Sequence, residues 1–376
     1  MTHVFIVNEQ TMKIHLEYMF AGTGGSTDAG FLHDKEIKMH WKTEFNVVDM
    51  ISDVSRIKNG DRILFYVQAS QNVPGKFYGL FKAKGAPFYD SNENNYLYNE
   101  LNKSLNFRIE IEPDEVYADG ISEHDALDIL DEINHPSQMC WSLIYRKLRA
   151  NRGCTMITDY EADRIIKKIR IQNKEHSLSG KSFTYDTTNK KIIKSKNTLQ
   201  YEGNMESLSV KERMIVKYNR NNAFEAHLQA YIIQHYLEYP LKNLLDLKSD
   251  KNIWIGNEVA CGVGMQRIDI ATIQEDYSSV TINIIELKSC KPYASIIKHQ
   301  LPWYIEWVQN YWCPLYDNKT IIIKPVVIAL KTADNTEFKN ISSTLKYSNK
   351  YNEIVLPVEF ISFEINDVDI TFKKEF

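Results

Sequence analysis

The sequence predicts a two-domain protein of mixed α+β / α/β class: an amino-terminal curved β-sheet or small barrel carrying helices, and a carboxy-terminal α/β core with a central sheet. Three observations carry this. The chain has 376 residues, more than one core of ~150 residues accounts for. Residues 173–200, NKEHSLSGKSFTYDTTNKKIIKSKNTLQ, are polar and aperiodic except around Ile192 and Ile193, as a linker would be. The flanks also differ in grammar, with short strand signals separated by turns before that stretch and helix, strand, strand, helix, strand after it. The boundaries are 1–172, a basic flexible linker over 173–210, and 211–376.

In the first half, strand signals fall at HVFIVN (3–8), GDRILFYVQ (60–68), KFYGLFKAKG (76–85) and LNFRIEIEP (105–113). The nearly continuous apolar content of DRILFYVQ is that of a strand covered on both faces. ISEHDALDIL (121–130) predicts a helix with Ser122 as N-cap and Glu123 and Asp125 in the first turn, where carboxylates suit the helix dipole. In the second half, Phe224, Leu228, Tyr231, Ile232, His235, Tyr236 and Tyr239 step by three and four, specifying an amphipathic helix. Strands follow at QRIDIATI (266–273), VTINIIELK (280–288) and KPVVIAL (324–330), with a helical segment around 293–312. Gly262 and Gly264 separate NIWIGNEV from QRIDIATI, and DYSS (276–279) is a hairpin turn candidate.

Composition narrows the function classes. With 43% hydrophobic and 25% charged residues the chain reads as a soluble globular protein. Its best apolar run, IIIKPVVIAL at 321–330, is interrupted by Lys324 and falls short of the ~20 residues that span a bilayer, so no membrane partner is expected. Glu9, Lys13 and Glu17 make a poor secretory signal, and the cytoplasm is the default compartment. The five cysteines lie far apart with no CxxC pair, which predicts reduced, mostly buried thiols and neither a zinc site nor a disulfide framework. A net charge of −4 argues against a surface designed throughout for phosphate, yet leaves room for a local groove. Arg146, Lys147, Arg149, Arg152, Arg164, Lys167, Lys168 and Arg170 form a candidate phosphate-contact strip. For 159–170 alone, a solvated helix face is the simpler reading.

The chemistry concentrates in INIIELKSC (282–290). A strand sends successive side chains to opposite faces, so Ile282, Ile284, Glu286 and Lys288 share one face. Ionised groups are costly to bury without a partner or a metal. A strand end reaching water or a structural ion pair would satisfy that requirement. A third reading arises because Asp269 lies on the preceding strand signal, joined by a short turn to the strand of Glu286 and Lys288. Neighbouring strands can bring the three together. Hard carboxylate oxygens suit Mg²⁺, which acidifies water, and an ammonium offsets charge on a phosphorane-like transition state. Glu225 starts the amphipathic helix at the border of its apolar stripe. Gln300 and Tyr304 share a helix face at i, i+4 spacing, although Pro302 between them disturbs a helix unless it lies in the first turn.

Glu225, Asp269, Glu286-x-Lys288 and Gln300-x-x-x-Tyr304, in that order, resemble the PD-(D/E)xK nuclease superfamily, most closely its RecB-like branch with NucS-type endonucleases, over about 211–331. The resemblance implies a restriction-endonuclease-like α/β core with a central mixed sheet. It implies Asp269 and Glu286 as metal ligands assisted by the Leu287 carbonyl, Lys288 as catalytic lysine, and Glu225 as ligand or water-positioning group. Gln300 and Tyr304 become substrate or site support, and Mg²⁺ the cofactor, with Mn²⁺ as substitute. No Pro precedes Asp269, where Ile268 stands.

The first half resembles the EVE domains of the PUA/YTH-like group. Trp41, then Gly60, Asp61, Phe65 and Tyr66, then a glycine-containing strand, then Tyr89 and Asp90 follow the family order. This implies a PUA/EVE-like curved sheet or barrel that reads a flipped, often modified, base. The expected pocket is Trp41, Tyr66, Phe88 and Tyr89, although for each of these rings core packing is the commoner role. Together the resemblances imply a prokaryotic restriction endonuclease acting, as a homodimer, on double-stranded DNA that can carry a modified base. A NucS-like repair or mismatch endonuclease, an RNA substrate and a non-catalytic nucleic-acid-binding module are the alternatives.

Overall fold

The computed structural model describes residues 1–24, 41–70, 73–90, 97–127, 132–145, 153–197, 199–262, 266–344, 346–350 and 352–376, the side chains at 41, 42, 144 and 145 excepted. The chain divides into two compact units, one of residues 1–133 and 139–209, the other of 134–138 and 210–376.

The first unit contains β1 (Thr2–Val7), α1 (Glu9–Tyr18), β2 (Phe20–Thr23), α2 (Trp41–Ser55), β3 (Arg62–Val67), β4 (Lys76–Tyr89), α3 (Tyr98–Leu101), β5 (Phe107–Pro113), β6 (Ile121–Ser122), α4 (Glu123–Leu127), α5 (Trp141–Tyr145), β7 (Cys154–Ile157), α6 (Asp159–Gln172), β8 (Phe183–Asp186) and β9 (Lys191–Lys194). One mixed sheet runs β2-β5-β4-β3-β1-β7, with β6 beside β4. Only β1 and β3 pair in parallel, with Phe5 opposite Phe65. Among the described residues the pairing does not close, so the expected barrel is an open mixed sheet. The Ser122 cap is present, its hydroxyl accepting the Asp125 N–H at 3.0 Å. A capping box between Thr158 and Glu161 starts α6. Its Ala162, Ile165, Ile166 and Ile169 then step by three and four into a core with Val4, Leu64, Tyr66 and Phe77.

Of residues 173–210, expected as a linker, the described ones up to Ser209 belong to this unit. β8 and β9 pair as a hairpin. Leu178 N–H reaches Val116 O at 2.7 Å and Ile192 N–H reaches Ala118 O at 2.9 Å. Phe183, Tyr185 and Ile192 are buried. Four-residue strands carry too few apolar positions to register as periodicity, so the segment reads as polar although Phe183, Tyr185 and Ile192 are in the core, with Ile193 and Leu199 left exposed. Of the basic strip, residues 146–152 lie outside the described residues. Arg164, Lys167 and Lys168 edge a cavity of about 610 Å³. Glu132 holds both Arg164, at 2.9 Å, and Lys168, at 3.1 Å.

The second unit contains α7 (Lys211–Asn219), α8 (Glu225–His235), α9 (Leu241–Leu244), β10 (Asn252–Ala260), β11 (Arg267–Glu275), β12 (Ser279–Lys288), α10 (Leu301–Tyr311), β13 (Thr320–Leu330), α11 (Thr336–Thr344), β14 (Glu353–Val355), β15 (Glu359–Ile365) and β16 (Ile370–Lys374). Its mixed sheet runs β10-β11-β12-β13-β15-β16, with β14 beside β13. β12, β13 and β15 are parallel and the flanking strands antiparallel. The DYSS turn closes with Asp276 N–H to Ser279 O at 2.8 Å. Expected as an amphipathic helix, α8 buries every residue from His227 to Ile233. No described helix is long and apolar enough to cross a membrane.

Candidate active site

The register of β11 and β12 builds the site. Ile270 pairs with Ile285, so the next position sets Asp269 beside Glu286 across the two strands. Alternation puts Ile268 and Ile270 in the core and leaves Asp269 partly accessible. Asp269 Oδ2 accepts the Leu287 N–H at 2.7 Å. Lys288 Nζ donates to Glu286 Oε1 at 2.7 Å and to the Leu287 carbonyl at 2.7 Å. From the first turn of α8, Glu225 puts Oε1 3.6 Å from the same ammonium and Oε2 3.4 Å from the Ser289 N–H. Asp269, Glu286, Lys288 and Glu225, picked from the sequence, therefore converge.

Glu286 is 2% exposed, and its Oε2 is buried with no hydrogen-bond partner. Such an atom costs on the order of 1–3 kcal/mol, more for a charge. Burial, then the Glu286 charge, pushes Asp269 well above the usual carboxylate range. Burial also raises Glu286, with Lys288 opposing. Burial works against the Lys288 ammonium, but Glu286, aided by Glu225 and Asp269, outweighs it and raises the lysine. Two carboxylates held above their normal range, one with an orphaned oxygen, are short of positive charge. A hard divalent cation supplies that charge. Asp269, Glu286 and the Leu287 carbonyl are the oxygen donors at hand. Among the described residues no group of three or more His, Cys, Asp or Glu side chains is assembled to hold an ion, so the fit rests on two carboxylates and a backbone carbonyl.

Tyr304 also reaches this region. Residues Ile296–Gln300 form a π-turn that runs into α10, and Pro302, which has no N–H to donate, falls where that turn passes into the helix. Burial, then the Glu286 and Asp269 charges, raises Tyr304. Its hydroxyl faces Glu286 and favours the charged form of that carboxylate. Gln300 Oε1 is buried without a partner.

Three further groups escaped the sequence reading. Gln229, one turn after Glu225 on α8, donates through Nε2 to the Asp269 carbonyl at 2.9 Å and to Glu258 Oε1 at 3.3 Å. Helical spacing from Glu225 was the signal for it. Glu258 accepts Arg267 Nη1 at 3.0 Å and adopts φ 50° within β10, a left-handed conformation that no sequence pattern foretells. Trp303 donates its indole N–H to the Cys261 carbonyl at 2.8 Å.

No family model matches this chain. A search of curated proteins likewise finds no match. Among solved structures, a hypothetical protein from Leishmania major is similar at 8% identity, with 46% of this chain and 95% of that one covered and a TM-score of 0.31. A likeness of that size carries no argument about function.

The expected base pocket fares differently. The Trp41 side chain lies outside the described residues, although its backbone opens α2. Tyr66, Phe88 and Tyr89 are 1%, 5% and 1% exposed. Tyr66 packs against Phe77 and hydrogen-bonds Glu123. Phe88 packs edge-on against Tyr201, and Tyr89 lies against Phe107. None of these three rings offers a face for stacking. Their strands are covered on both sides, and the core claims them.

Proposed function

We propose that the second unit is a Mg²⁺-dependent endonuclease of the PD-(D/E)xK type that hydrolyses phosphodiester bonds in DNA, with Mn²⁺ able to substitute. The observation that carries this is the position of Asp269 beside Glu286, one residue past the Ile270–Ile285 pair of β11 and β12, with the buried oxygen Glu286 Oε2 left unbonded and Lys288 alongside.

Asp269, Glu286 and the Leu287 carbonyl would hold the cation. When bound, it would acidify a water and draw charge from a phosphoryl oxygen. Lys288 is anchored by Glu286 and Leu287 O, which aims a fixed positive charge at the position where a scissile phosphate would gain negative charge. Glu225, half-exposed and 3.6 Å from that ammonium, is placed to orient the attacking water from the solvent side. Gln229 ties α8 to β11, so Glu225 and Asp269 keep their spacing. Cutting both strands of a duplex with one such centre per chain calls for two copies, and a homodimer is part of the proposal. Restriction of DNA carrying a modified base rests on the resemblance of the first unit alone, and Tyr66, Phe88 and Tyr89 lend it no support.

The test is cleavage of matched supercoiled plasmids, unmodified or carrying 5-methylcytosine, 5-hydroxymethylcytosine or N6-methyladenine, in Mg²⁺ or EDTA, beside Lys288→Ala. The expected result is Mg²⁺-dependent cutting that falls about 100-fold or more in the variant. Dependence on one modification would restore the base-reading role, and equal cutting would remove it. Cutting that survives Lys288→Ala or EDTA contradicts the proposal.

A further inference from the structure

We infer that the cavity beside α6 binds a phosphate monoester carried on a flat aromatic base, a free nucleoside monophosphate, with Arg164, Lys167 and Lys168 as its phosphate contacts. The cavity belongs to the first unit, and the inference stands apart from the phosphodiester chemistry proposed for the second.

Helical spacing gathers the cations. Arg164, Lys167, Lys168 and Ile171 stand at i, i+3, i+4 and i+7 on α6, which makes them one stripe. The stripe of Ala162, Ile165, Ile166 and Ile169 already docks the helix in the core, so the fold does not need this one. Arg170 is held elsewhere, by Glu115 at 2.9 Å. Glu132 stands between two of the three cations. Its Oε2 accepts from Arg164 Nη2 at 2.9 Å and its Oε1 from Lys168 Nζ at 3.1 Å. Lys168 foremost, then Arg164 and Lys167, hold its carboxyl below the usual range. All three cations therefore converge on one exposed carboxylate, as they would on the oxygens of a phosphate. Arg164 is also steadied for the task, its Nη1 donating to the Tyr160 hydroxyl at 2.9 Å. Lys167 forms no ion pair among the described residues. Asp125, the other carboxylate at the cavity, accepts the Ser122 hydroxyl at 2.6 Å as part of the α4 cap.

Charge and shape together select the ligand. A phosphate monoester carries about two negative charges at neutral pH, so on displacing Glu132 it would engage three cations where the carboxylate bonds two. The cavity, about 610 Å³, has the size of a small-molecule site and exceeds what a bare phosphate fills. Ile121 and Ile171 line it beside the cations. Ile171 is 60% exposed, an apolar side chain left in water at the end of a cationic stripe. A flat apolar body resting there would cover it while the phosphate reaches the charges. A nucleoside monophosphate divides in this way into flat body and charged end, whereas an acidic peptide has no such body.

The test is calorimetric titration of the full chain in EDTA with the 5′-monophosphates of adenosine, guanosine, cytidine and thymidine, with the matching nucleosides, and with inorganic phosphate. Wild type should bind at least one monophosphate about 10-fold or more tightly than its nucleoside or phosphate alone. Lys167→Gln, at an exposed position that the fold does not use, should weaken that binding by about 10-fold. Glu132→Gln should tighten it by about 3-fold or more, because the competing carboxylate is gone. A merely structural ion pair would shift the affinity the other way or not at all. Lys288→Ala should bind as wild type does, which keeps the nucleotide away from the second unit's carboxylates. No binding by wild type at millimolar concentration, equal affinity in Lys167→Gln, weaker binding by Glu132→Gln, or loss in Lys288→Ala overturns the inference. Phosphate alone binding as tightly as every monophosphate also overturns it, since the apolar wall then does nothing. So does a 5′-hydroxyl oligonucleotide that binds more tightly than any monophosphate and loses that affinity in Lys167→Gln, because the stripe is then a contact for a nucleic-acid backbone.

Discussion

Glu286 displays the local logic of the site. Its strand is buried without a break from Ile282 to Lys288, so a carboxylate there conflicts with its surroundings unless chemistry requires it. Alternation predicted the shared face of Glu286 and Lys288, and the preceding strand predicted Asp269. Glu258 was illegible because its left-handed backbone breaks the alternation on which the reading relied. A second buried ionisable group, His15 on α1, lends itself to a test by pH. Its Nε2 accepts the Gly22 N–H at 3.2 Å, and its Nδ1 is buried without a partner. Burial, then the cations Lys103 and Arg108, pushes it down to about 3. The unfolded chain protonates this group near its ordinary pKa of ~6.5 while the folded chain keeps it neutral. Stability should therefore fall as pH drops from ~6.5 toward ~3, with a slope of up to about 1.4 kcal/mol per pH unit from this group. Urea midpoints between pH 7 and 4.5 should diverge between wild type and His15→Gln, the wild type declining faster. Parallel curves would contradict the assignment.

Among the elements, α8 is the one whose placement sets the spacing between Glu225 and Asp269. Glu225 reaches the site from its first turn, and one turn later Gln229 fastens the helix to the Asp269 backbone and to Glu258. Gln229→Ala should lower kcat by about 10-fold to 100-fold with little change in KM, because the groups remain but their spacing loosens. A KM effect alone would remove the positioning role. The β8–β9 hairpin tests the first unit in the same way. Ile192 is fully buried, so Ile192→Ala should cost about 2–5 kcal/mol in urea unfolding, whereas a change in a flexible linker would stay within about 0.5 kcal/mol. Each strand and helix expected from sequence was anchored by a run of apolar residues long enough to show its period. The hairpin has too few such positions, and α8 is buried around most of its girth, so a one-sided stripe understates it.

At the scale of the molecule, the chain holds two units, each with its own mixed sheet. The two-domain class was legible from composition and grammar. The open edge of the first sheet was not, because strand order depends on long-range pairing that no local pattern encodes. β15 and β16, which extend the second sheet beyond β13, likewise went unread for want of a motif. The proposal turns on whether Asp269 and Glu286 of the second unit hold a divalent cation. Calorimetric titration of Mg²⁺, with Mn²⁺ in parallel, into wild type, Asp269→Asn and Glu286→Gln addresses it without depending on substrate. The account predicts saturable binding by wild type, a rise in thermal midpoint at saturating metal, and loss of both in each folded variant. Equal binding by all three proteins, or none by wild type, would contradict it.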